Sequence, residues 1–488
     1  MATKSSTLDL TILDQTMLRV YVRQLLIFPF PDTDHQADAL SVLHAGLFEV
    51  FQHYPFLAGT IRQTNPLTGA MTVDYPDKID SDLPSQLLKV NKLDDQGLGY
   101  DYDKLCEEGL PPSKLPSDVL CPFALVGHPG MDDAFAEGLT TFVKDQPIPV
   151  FAAQVTFIPG GLILSAYTHH SVVDGTGIAK IYQTWSASTR AYSNRQPTAK
   201  QASTYSLNTA RNVLDSLIVD AQPMDLPEFR YPDTPVLVPL LRESPYKISA
   251  KIFVFSASRI FQLANSLSNL THERISTFTA LTALVWCQIT NARRAVLIEK
   301  GIQKTTVGIA IDQRKRVGSL LPANYIGNCA NGMTVSLLLS SIPTTETMDN
   351  TSIAAVALAL SNRLGEINLD WFRARLLHMS EQPNSSKLVL NVDTCNGPDL
   401  FITSWMHIGA DDVWAVPGTA KMDNETWGCK PTAIRKPQCA SEGGIQILPR
   451  RKGGEAPFET LVCLEDGEME RTMKSLGGGK WVEKFVEG

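Results

Sequence analysis

Two runs of β-forming residues, 150–158 and 162–168, flank a Pro-Gly-Gly turn at 159–161. The pattern predicts a β-hairpin whose second strand ends near residue 169. Beyond residue 177, apolar residues recur at intervals of three and four, which predicts a helix with one apolar face. The residues on that face are Ile178, Ile181, Tyr182 and Trp185. We therefore expect a strand, a short loop and a helix in succession across this segment.

The N-terminal region carries the same two kinds of pattern. Residues 7–14 and 19–28 are predicted to be strands because they are rich in β-branched and apolar residues. The helix that follows has a single apolar face, formed by Leu40, Leu43, Leu47, Val50 and Phe51.

A polar, proline-containing stretch at about 194–233 separates the two halves of the chain. The second half then starts again with predicted strands and helices at 251–256, 257–267, 275–286, 445–448, 458–464 and 466–473. Because each half supplies both kinds of element, the predicted fold class is α/β, an α+β sandwich. We expect one domain at 1–200 and another at 249–488, joined by a crossover at 201–248.

Composition and charge exclude several classes of function. The chain has 488 residues and 43% hydrophobic content, enough for two or more domains. Its net charge of −8 and pI of about 5.7, without a lysine or arginine block, argue against nucleic acid and anionic membranes as partners. The N-terminus has no apolar signal region and no run of 18 apolar residues occurs, so we expect a cytoplasmic protein outside the membrane.

The sequence also argues against metal and nucleotide motifs. Its eight cysteines include no Cys-x-x-Cys pair, so neither a zinc site nor a disulfide framework is predicted. It contains no Gly-rich phosphate loop and no nicotinamide-binding fingerprint. We expect no metal in the active site.

The candidate chemistry lies in the loop after the hairpin, where His170 is followed by Asp174 and Gly175. The spacing His-x-x-x-Asp occurs three times in the chain, beginning at His128, His170 and His407, so the spacing alone is weak evidence. The copy at His170 has a strand before it, a glycine directly after the aspartate and a helix beyond. A neutral imidazole there can accept a proton from a hydroxyl or an amine near neutral pH. His169 is expected to be structural.

The segment His169-His170-x-x-x-Asp174-Gly175 resembles the signature of the chloramphenicol acetyltransferase-like superfamily. That superfamily includes the BAHD acyltransferases, the fungal trichothecene 3-O-acetyltransferases and the condensation domains of peptide synthetases. Further similarities favour the trichothecene 3-O-acetyltransferase branch, and they lie at 312–316, 325–328, 403–405 and 423–437. The last of these resembles the family's C-terminal motif but lacks its first glycines.

The resemblance implies two chloramphenicol acetyltransferase-like domains with an active-site tunnel between them. It implies that His170 is the general base, and that Asp174 pairs with Arg314 and, with Gly175, supports the site structurally. Thr403 and Trp405 would contribute to the oxyanion site or the substrate chamber. The C-terminal motif would supply Asp423, Gly428 and Lys430.

The resemblance further implies an acyl-CoA-dependent O-acyltransferase. The co-substrate would be acetyl-CoA or another acyl-CoA, and the acceptor a hydroxylated small-molecule secondary metabolite. No metal takes part, and the chain is expected to act as a monomer because both halves of the site belong to one polypeptide.

Two alternatives stay open from the residues alone. The same histidine could serve an N-acyltransferase or a condensation-type enzyme that uses a carrier-bound acyl group. The altered C-terminal motif also leaves room for a catalytically impaired binding homologue. Residues 411–419 are expected to be a surface insertion, because Asp411, Asp412 and Asp423 favour solvent. The alternative is that this segment replaces the missing glycines by packing Trp414 near the acyl-CoA tunnel.

Overall fold

The computed structural model of the chain describes residues 5–93, 101–131, 138, 140–196, 207–231, 247–421, 426–438, 441–477 and 481–487. Strands of the first half are β1 (Ser5–Asp9), β2 (Tyr21–Pro29), β3 (Thr60–Asn65), β4 (Ala70–Pro76), β5 (Leu88–Lys92), β6 (Ile148–Pro149), β7 (Phe151–Ile158) and β8 (Gly161–His169). Later strands are β9 (Phe229–Arg230), β10 (Ile248–Phe255), β11 (Lys304–Asp312), β12 (Ala330–Leu338), β13 (Val389–Leu390), β14 (Leu400–Ser404), β15 (Ala433–Arg435), β16 (Gly444–Ile447), β17 (Phe458–Glu465) and β18 (Val482–Glu487).

Helices occur in both halves of the described chain. They are α1 (Ile12–Thr16), α2 (Gln36–His53), α3 (Leu83–Leu87), α4 (Tyr102–Glu108), α5 (Ser117–Leu120), α6 (Gly175–Ser193), α7 (Leu207–Ser216), α8 (Ala257–Thr271), α9 (Thr277–Glu299), α10 (Arg314–Val317), α11 (Asn350–Glu366), α12 (Leu369–Ser380) and α13 (Asp466–Leu476).

The first half is built on a five-stranded sheet in the order β15-β2-β8-β7-β5, with a four-stranded sheet, β1-β4-β3-β6, beside it. The hairpin β7–β8 is the one predicted from the two β-rich runs that flank the turn at residues 159–161. Its buried face packs against α2 and α6, and the indole of Trp185 donates a hydrogen bond to the Leu43 carbonyl at 2.9 Å. The predicted apolar faces of α2 and α6 thus meet in one core.

The second half is built on a seven-stranded sheet in the order β12-β11-β14-β16-β17-β10-β18. β14 pairs in parallel with β11 and β16, and the other pairs are antiparallel. Helices α8, α9, α11 and α13 contribute to the largest core, and Ser276 caps α9 by accepting a hydrogen bond from the Thr279 N–H at 3.0 Å. The cap fixes the start of the long apolar helix.

The two halves exchange segments. β15, from the last quarter of the chain, pairs antiparallel with β2 of the first sheet, with Ile434 opposite Leu26. In return, Leu13 of α1 packs in the core of the second half. The division of the chain at residues 1–200, 201–248 and 249–488 stays a prediction. The structure shows in addition that each half contributes a segment to the other.

Two local expectations are wrong. Residues 12–16 form α1 rather than a strand, because Thr11 and Asp14 form a capping box that satisfies backbone N–H groups at the helix start. Residues 411–419 are not a surface insertion. Trp414 is 0% exposed and packs against Phe28, Tyr182 and Trp185 in the core of the first half.

We expect Trp414→Ala to lower the free energy of unfolding by about 3 to 5 kcal/mol, because it leaves a cavity beneath α6. Chemical denaturation measures this loss. Leu67→Ala, at a side chain that is 86% exposed, serves as the control and should change it by no more than about 0.5 kcal/mol. A loss at Trp414 as small as that of the control would show that the segment does not support the core.

Candidate active site

His170 lies in the loop between β8 and α6, and its backbone is held from both halves of the chain. Its N–H donates to the Val20 carbonyl at 2.8 Å. Its carbonyl accepts a hydrogen bond of 2.8 Å from Asn328 Nδ2, which belongs to the second half. The imidazole is partly exposed and lines a cavity. The loop therefore presents the base candidate from a fixed backbone.

The cavity has a volume of about 330 Å³ and is walled by both halves. Its first-half lining includes Leu13, Thr16, Met17, Leu18, Val20, Tyr21, Val22, Arg23 and His170. Its lining from the rest of the chain includes Phe229, Ala310, Asn331, Met379, Leu388, Val389, Leu390, Val392, Thr403, Trp405, Lys436, Ser441, Gln446, Leu461 and Cys463. Most of these side chains are apolar, with a few polar groups among them, as in sites for small organic ligands.

One face of the seven-stranded sheet forms a wall of this cavity. Side chains alternate along a strand, so Phe401, Thr403 and Trp405 are directed to the same side, and all three line the cavity. Gln446 lies opposite Thr403 in the parallel pair β14–β16 and lines the cavity too. Its Nε2 is buried without a hydrogen-bond partner in the described chain. Thr403 and Gln446 are thus neighbouring polar groups on an otherwise apolar wall.

Asp174 forms the centre of a buried junction between the halves. Its carboxylate accepts hydrogen bonds from Arg314 at 2.8 and 3.0 Å, from the Cys329 N–H at 2.8 Å and from the Gly177 N–H at 3.0 Å. Burial by itself lowers the pKa of Arg314. The carboxylates of Asp174 and Asp312 raise it by more than burial lowers it, so the pKa of Arg314 lies above its ordinary value. The carboxylate is occupied by these donors, as expected for structural support of the loop.

The glycine that the loop requires is Gly177 rather than Gly175. A Cβ at Gly177 would lie 2.1 Å from the Ile326 carbonyl oxygen, which is a backbone atom of the second half. A Cβ at Gly175 would meet only the flexible end of Ile408, at 3.3 Å. The close approach of α6 to the second half therefore depends on Gly177.

The two histidines differ in their surroundings. Burial lowers the pKa of His170, while its own backbone carbonyl, Asp174 and Asn328 act in the opposite direction. His169 is 0% exposed, and burial lowers its pKa to about 3. Its Nδ1 accepts from the Ser171 N–H at 3.2 Å, and its Nε2 lies 3.0 Å from the Thr140 hydroxyl. His169 is a structural group, and His170 is the neutral imidazole that faces the cavity.

Two family models match the chain. The model described as the Transferase family matches residues 126–474, more than half of the chain. The chain belongs to the Transferase family. A second model, the trichothecene 3-O-acetyltransferase-like N-terminal domain, matches residues 20–188.

Individual relatives of this Transferase-family chain cover nearly its whole length. The O-acetyltransferase pboB of Aspergillus ustus is 25% identical over 502 residues, covering 95% of this chain and 94% of the relative. Trichothecene 3-O-acetyltransferase TRI101 of Fusarium sporotrichioides is 24% identical, covering 96% and 95%. The crystal structure of Fusarium graminearum TRI101 complexed with coenzyme A and T-2 mycotoxin matches with a TM-score of 0.77 at 19% identity, covering 99% of this chain and 100% of that one.

These comparisons confirm the resemblance, the two-domain chloramphenicol acetyltransferase-like fold and the assignment as an acyltransferase. Within the described ranges, no helix is long and apolar enough to cross a membrane. The same ranges contain no group of three or more His, Cys, Asp or Glu that could hold a metal ion.

The C-terminal motif of this Transferase-family chain, at 423–437, reaches the cavity only near its end in the part that the structure describes. Lys430 forms an ion pair with Asp411 at 3.0 Å, and the Gly428 N–H donates to the Ala420 carbonyl at 3.1 Å. Neither residue lines the cavity. Asp423 lies outside the described residues. Within the same 423–437 segment, Lys436 lines the cavity, whereas Gly428 and Lys430, which the resemblance proposed for the site, do not.

Sequence reasoning missed several residues at the site. The Tyr-x-Gly-Asn pattern drew attention to Asn328. Its contact with His170 could not be predicted, because the two residues are 158 positions apart in the chain. No motif in the sequence includes Gln446, and its position beside Thr403 follows from the register of the two strands alone.

A double-mutant cycle should measure the junction at Asp174. We expect Asp174→Asn and Arg314→Ala each to cost about 3 to 5 kcal/mol of stability, because the surviving partner is left buried. The double variant should lose little more than either single variant. The same cycle at the solvent-accessible pair Arg62–Asp74 is the control, with a coupling energy below about 1 kcal/mol. Additive losses at Asp174 and Arg314 would contradict the coupling.

Proposed function

We propose that this protein is an acyl-CoA-dependent O-acyltransferase that acetylates a hydroxyl group of a small-molecule secondary metabolite, with His170 as the general base. The observation that carries the proposal is the imidazole of His170, of lowered pKa, in a cavity that both halves of the chain enclose. O-acetyltransferases among the relatives support the same reaction class.

The ring nitrogen that serves as base is Nε2, because Nδ1 is buried. In the proposed reaction Nε2 accepts the proton of the acceptor hydroxyl as its oxygen forms a bond to the thioester carbonyl carbon. The carbonyl electron pair moves onto oxygen and gives a tetrahedral oxyanion. Collapse of this intermediate breaks the C–S bond, and the departing thiolate takes the proton from the imidazolium. The products are an ester and coenzyme A, and His170 returns to its neutral form.

Thr403 is proposed to stabilise the oxyanion. Its side chain lies on the cavity face of β14 and can donate a hydroxyl hydrogen bond to the developing negative charge. Trp405 follows on the same face and is proposed to shape the chamber around the acyl group. The protein needs no covalent acyl intermediate, because a thioester is already an activated acyl donor.

The lining of the cavity offers groups that suit both substrates. Apolar side chains from α1, from Met17 directly after it and from the β9–β13 ribbon, including Leu13 and Phe229, suit the carbon skeleton of an acceptor. Polar side chains, including Lys436 and Ser441, suit the pantetheine arm. A volume of about 330 Å³ is at the small end of ligand pockets, so the nucleotide of coenzyme A would lie outside it.

We also propose that the protein acts in the cytoplasm as a monomer. One chain supplies both walls of the cavity, so a second copy is not needed to complete the site. Light scattering of the active fraction tests the monomer, and activity confined to an oligomer would contradict it.

We expect His170→Ala to reduce transfer from acetyl-CoA by about 10²- to 10⁴-fold, because the proton acceptor is removed. Acetyl-CoA binding, measured by calorimetry, should stay near the wild-type value. Transfer to a panel of hydroxylated terpenoids, polyketides and alkaloids, with amine counterparts, is followed by mass spectrometry. His407→Ala is the matched control, because His407 has the same spacing to an aspartate but is exposed outside the cavity. Retention of activity in His170→Ala would contradict the general base, and inactivity of the wild type on the whole panel would favour a binding protein.

The pH profile tests the protonation state of the base. Burial lowers the pKa of His170 from its ordinary value of 6.5. Since only the neutral imidazole accepts a proton, kcat/KM should persist as the pH falls through 6.5 and decline only at lower pH. An acid limb centred at or above pH 6.5 would contradict this expectation.

A further inference from the structure

A second buried polar group lies behind the His170 loop, formed by Asp14, Arg211 and Asn328. All three residues are at most 2% exposed. They come from three distant parts of the chain, namely α1, α7 of the crossover and the loop before β12. None of them lines the cavity, so they do not touch a substrate there.

Asn328 connects this group to the base. Its Nδ2 lies 2.8 Å from Asp14 Oδ1 and 2.8 Å from the His170 carbonyl oxygen. An amide nitrogen has two hydrogens, so both are committed to these acceptors. The amide therefore has one favoured orientation, and that orientation is set by Asp14.

Arg211 completes the group from the crossover. One guanidinium nitrogen donates to Asp14, and the other donates to the Val172 carbonyl at 3.1 Å. The guanidinium also lies over the Phe56 ring, 5.7 Å from its centroid. Two carbonyls of the same loop, at His170 and Val172, are thus held by donors that share one carboxylate.

We propose that Asn328 is a positioning residue for His170, and that the buried Asp14–Arg211 ion pair holds Asn328 in the orientation that this requires. The proposal rests on the proposed function only in taking His170 as the base. A buried ion pair is weak evidence for stability, because the desolvation of two charges offsets much of their attraction. The ion pair here acts through Asn328 to fix the backbone of His170, which carries the imidazole. This matters for the rate, because small displacements of a catalytic group lower rates strongly.

The decisive variant is Asn328→Leu, which keeps the branched skeleton of the side chain, at a larger volume, and removes both hydrogen bonds while leaving the ion pair in place. Asp14→Asn and Asp14→Leu form a second pair. Asp14→Asn keeps an oxygen that can accept the hydrogen bond from Asn328, whereas Asp14→Leu removes it. Asp14→Asn should therefore retain most of the activity that Asp14→Leu loses. Arg293→Leu is the matched control, because Arg293 is a buried arginine of the second half, paired with Glu468 at 2.8 Å, away from His170.

The first measurement is an NMR titration of the His170 imidazole in histidine-labelled full-length protein, with its signal assigned by its absence from His170→Ala. Groups that act on this ring include Asp174 and Asn328, and neither Asp174 nor His169 is altered in these variants. Because the Asn328 side chain raises the pKa of His170, Asn328→Leu should lower it further, and Arg293→Leu should leave it unchanged. An unchanged His170 titration in Asn328→Leu would overturn the proposal.

The second measurement is the slow hydrolysis of acetyl-CoA, in which water replaces the acceptor and the released thiol is detected by its reaction with a disulfide dye. Asn328→Leu and Asp14→Leu should lower kcat by about 10- to 100-fold with little change in KM, and Asp14→Asn should lower it much less. Loss of stability without loss of kcat would show a structural role alone and overturn the proposal. If His170→Ala kept full activity, the general base would fail, but the NMR titration would still decide whether Asn328 positions the ring.

Discussion

The arrangement of the site depends on one carboxylate, that of Asp174. It caps the N-terminus of α6 through Gly177, and it receives the guanidinium of Arg314 and the N–H of Cys329 from the other half. A single buried acceptor thereby fixes the angle of a first-half helix, the end of β11 and the start of β12. An anion at a helix N-terminus is favoured by the helix dipole, and the arginine neutralises it without reaching the imidazole. The carboxylate of Asp174, whose spacing from His170 resembles that of a catalytic triad, therefore joins the two halves.

The neutral state of His170 follows from the same arrangement. Burial disfavours the imidazolium, and the nearest carboxylate is already shared with a cation. The ring can therefore accept a proton at cellular pH, while the pairing of Asp174 limits how far the imidazolium is stabilised. This suits the base role proposed for His170, because the leaving group of the proposed reaction must be protonated in the same cycle.

The sequence was most informative where pattern and local chemistry agree. The hairpin follows from two β-rich runs around a Pro-Gly-Gly turn, and the faces of α2 and α6 follow from a period of 3.6. The place of His170 directly after a strand follows from the hairpin. The sequence pattern gave the wrong element at α1, where a capping box starts a helix in spite of β-forming residues. It also gave the wrong location for Trp414, which is buried although its neighbours in sequence are acidic. The close approach of Gly177 to Ile326 and the position of Gln446 beside Thr403 could not be predicted, since both are properties of the tertiary structure.

The pairing of β15 with β2 has a consequence for the synthesis of the chain on the ribosome. Ile27 and its partner Ala433 are about 400 residues apart, so at roughly 5 to 20 residues per second the partner strand emerges about 20 to 80 seconds later. Until then β2 is an open sheet edge, with unpaired backbone groups of the kind that other nascent chains can bind. The N-terminal sheet therefore cannot be completed by the N-terminal half alone, and it keeps an open edge through most of the translation of the chain.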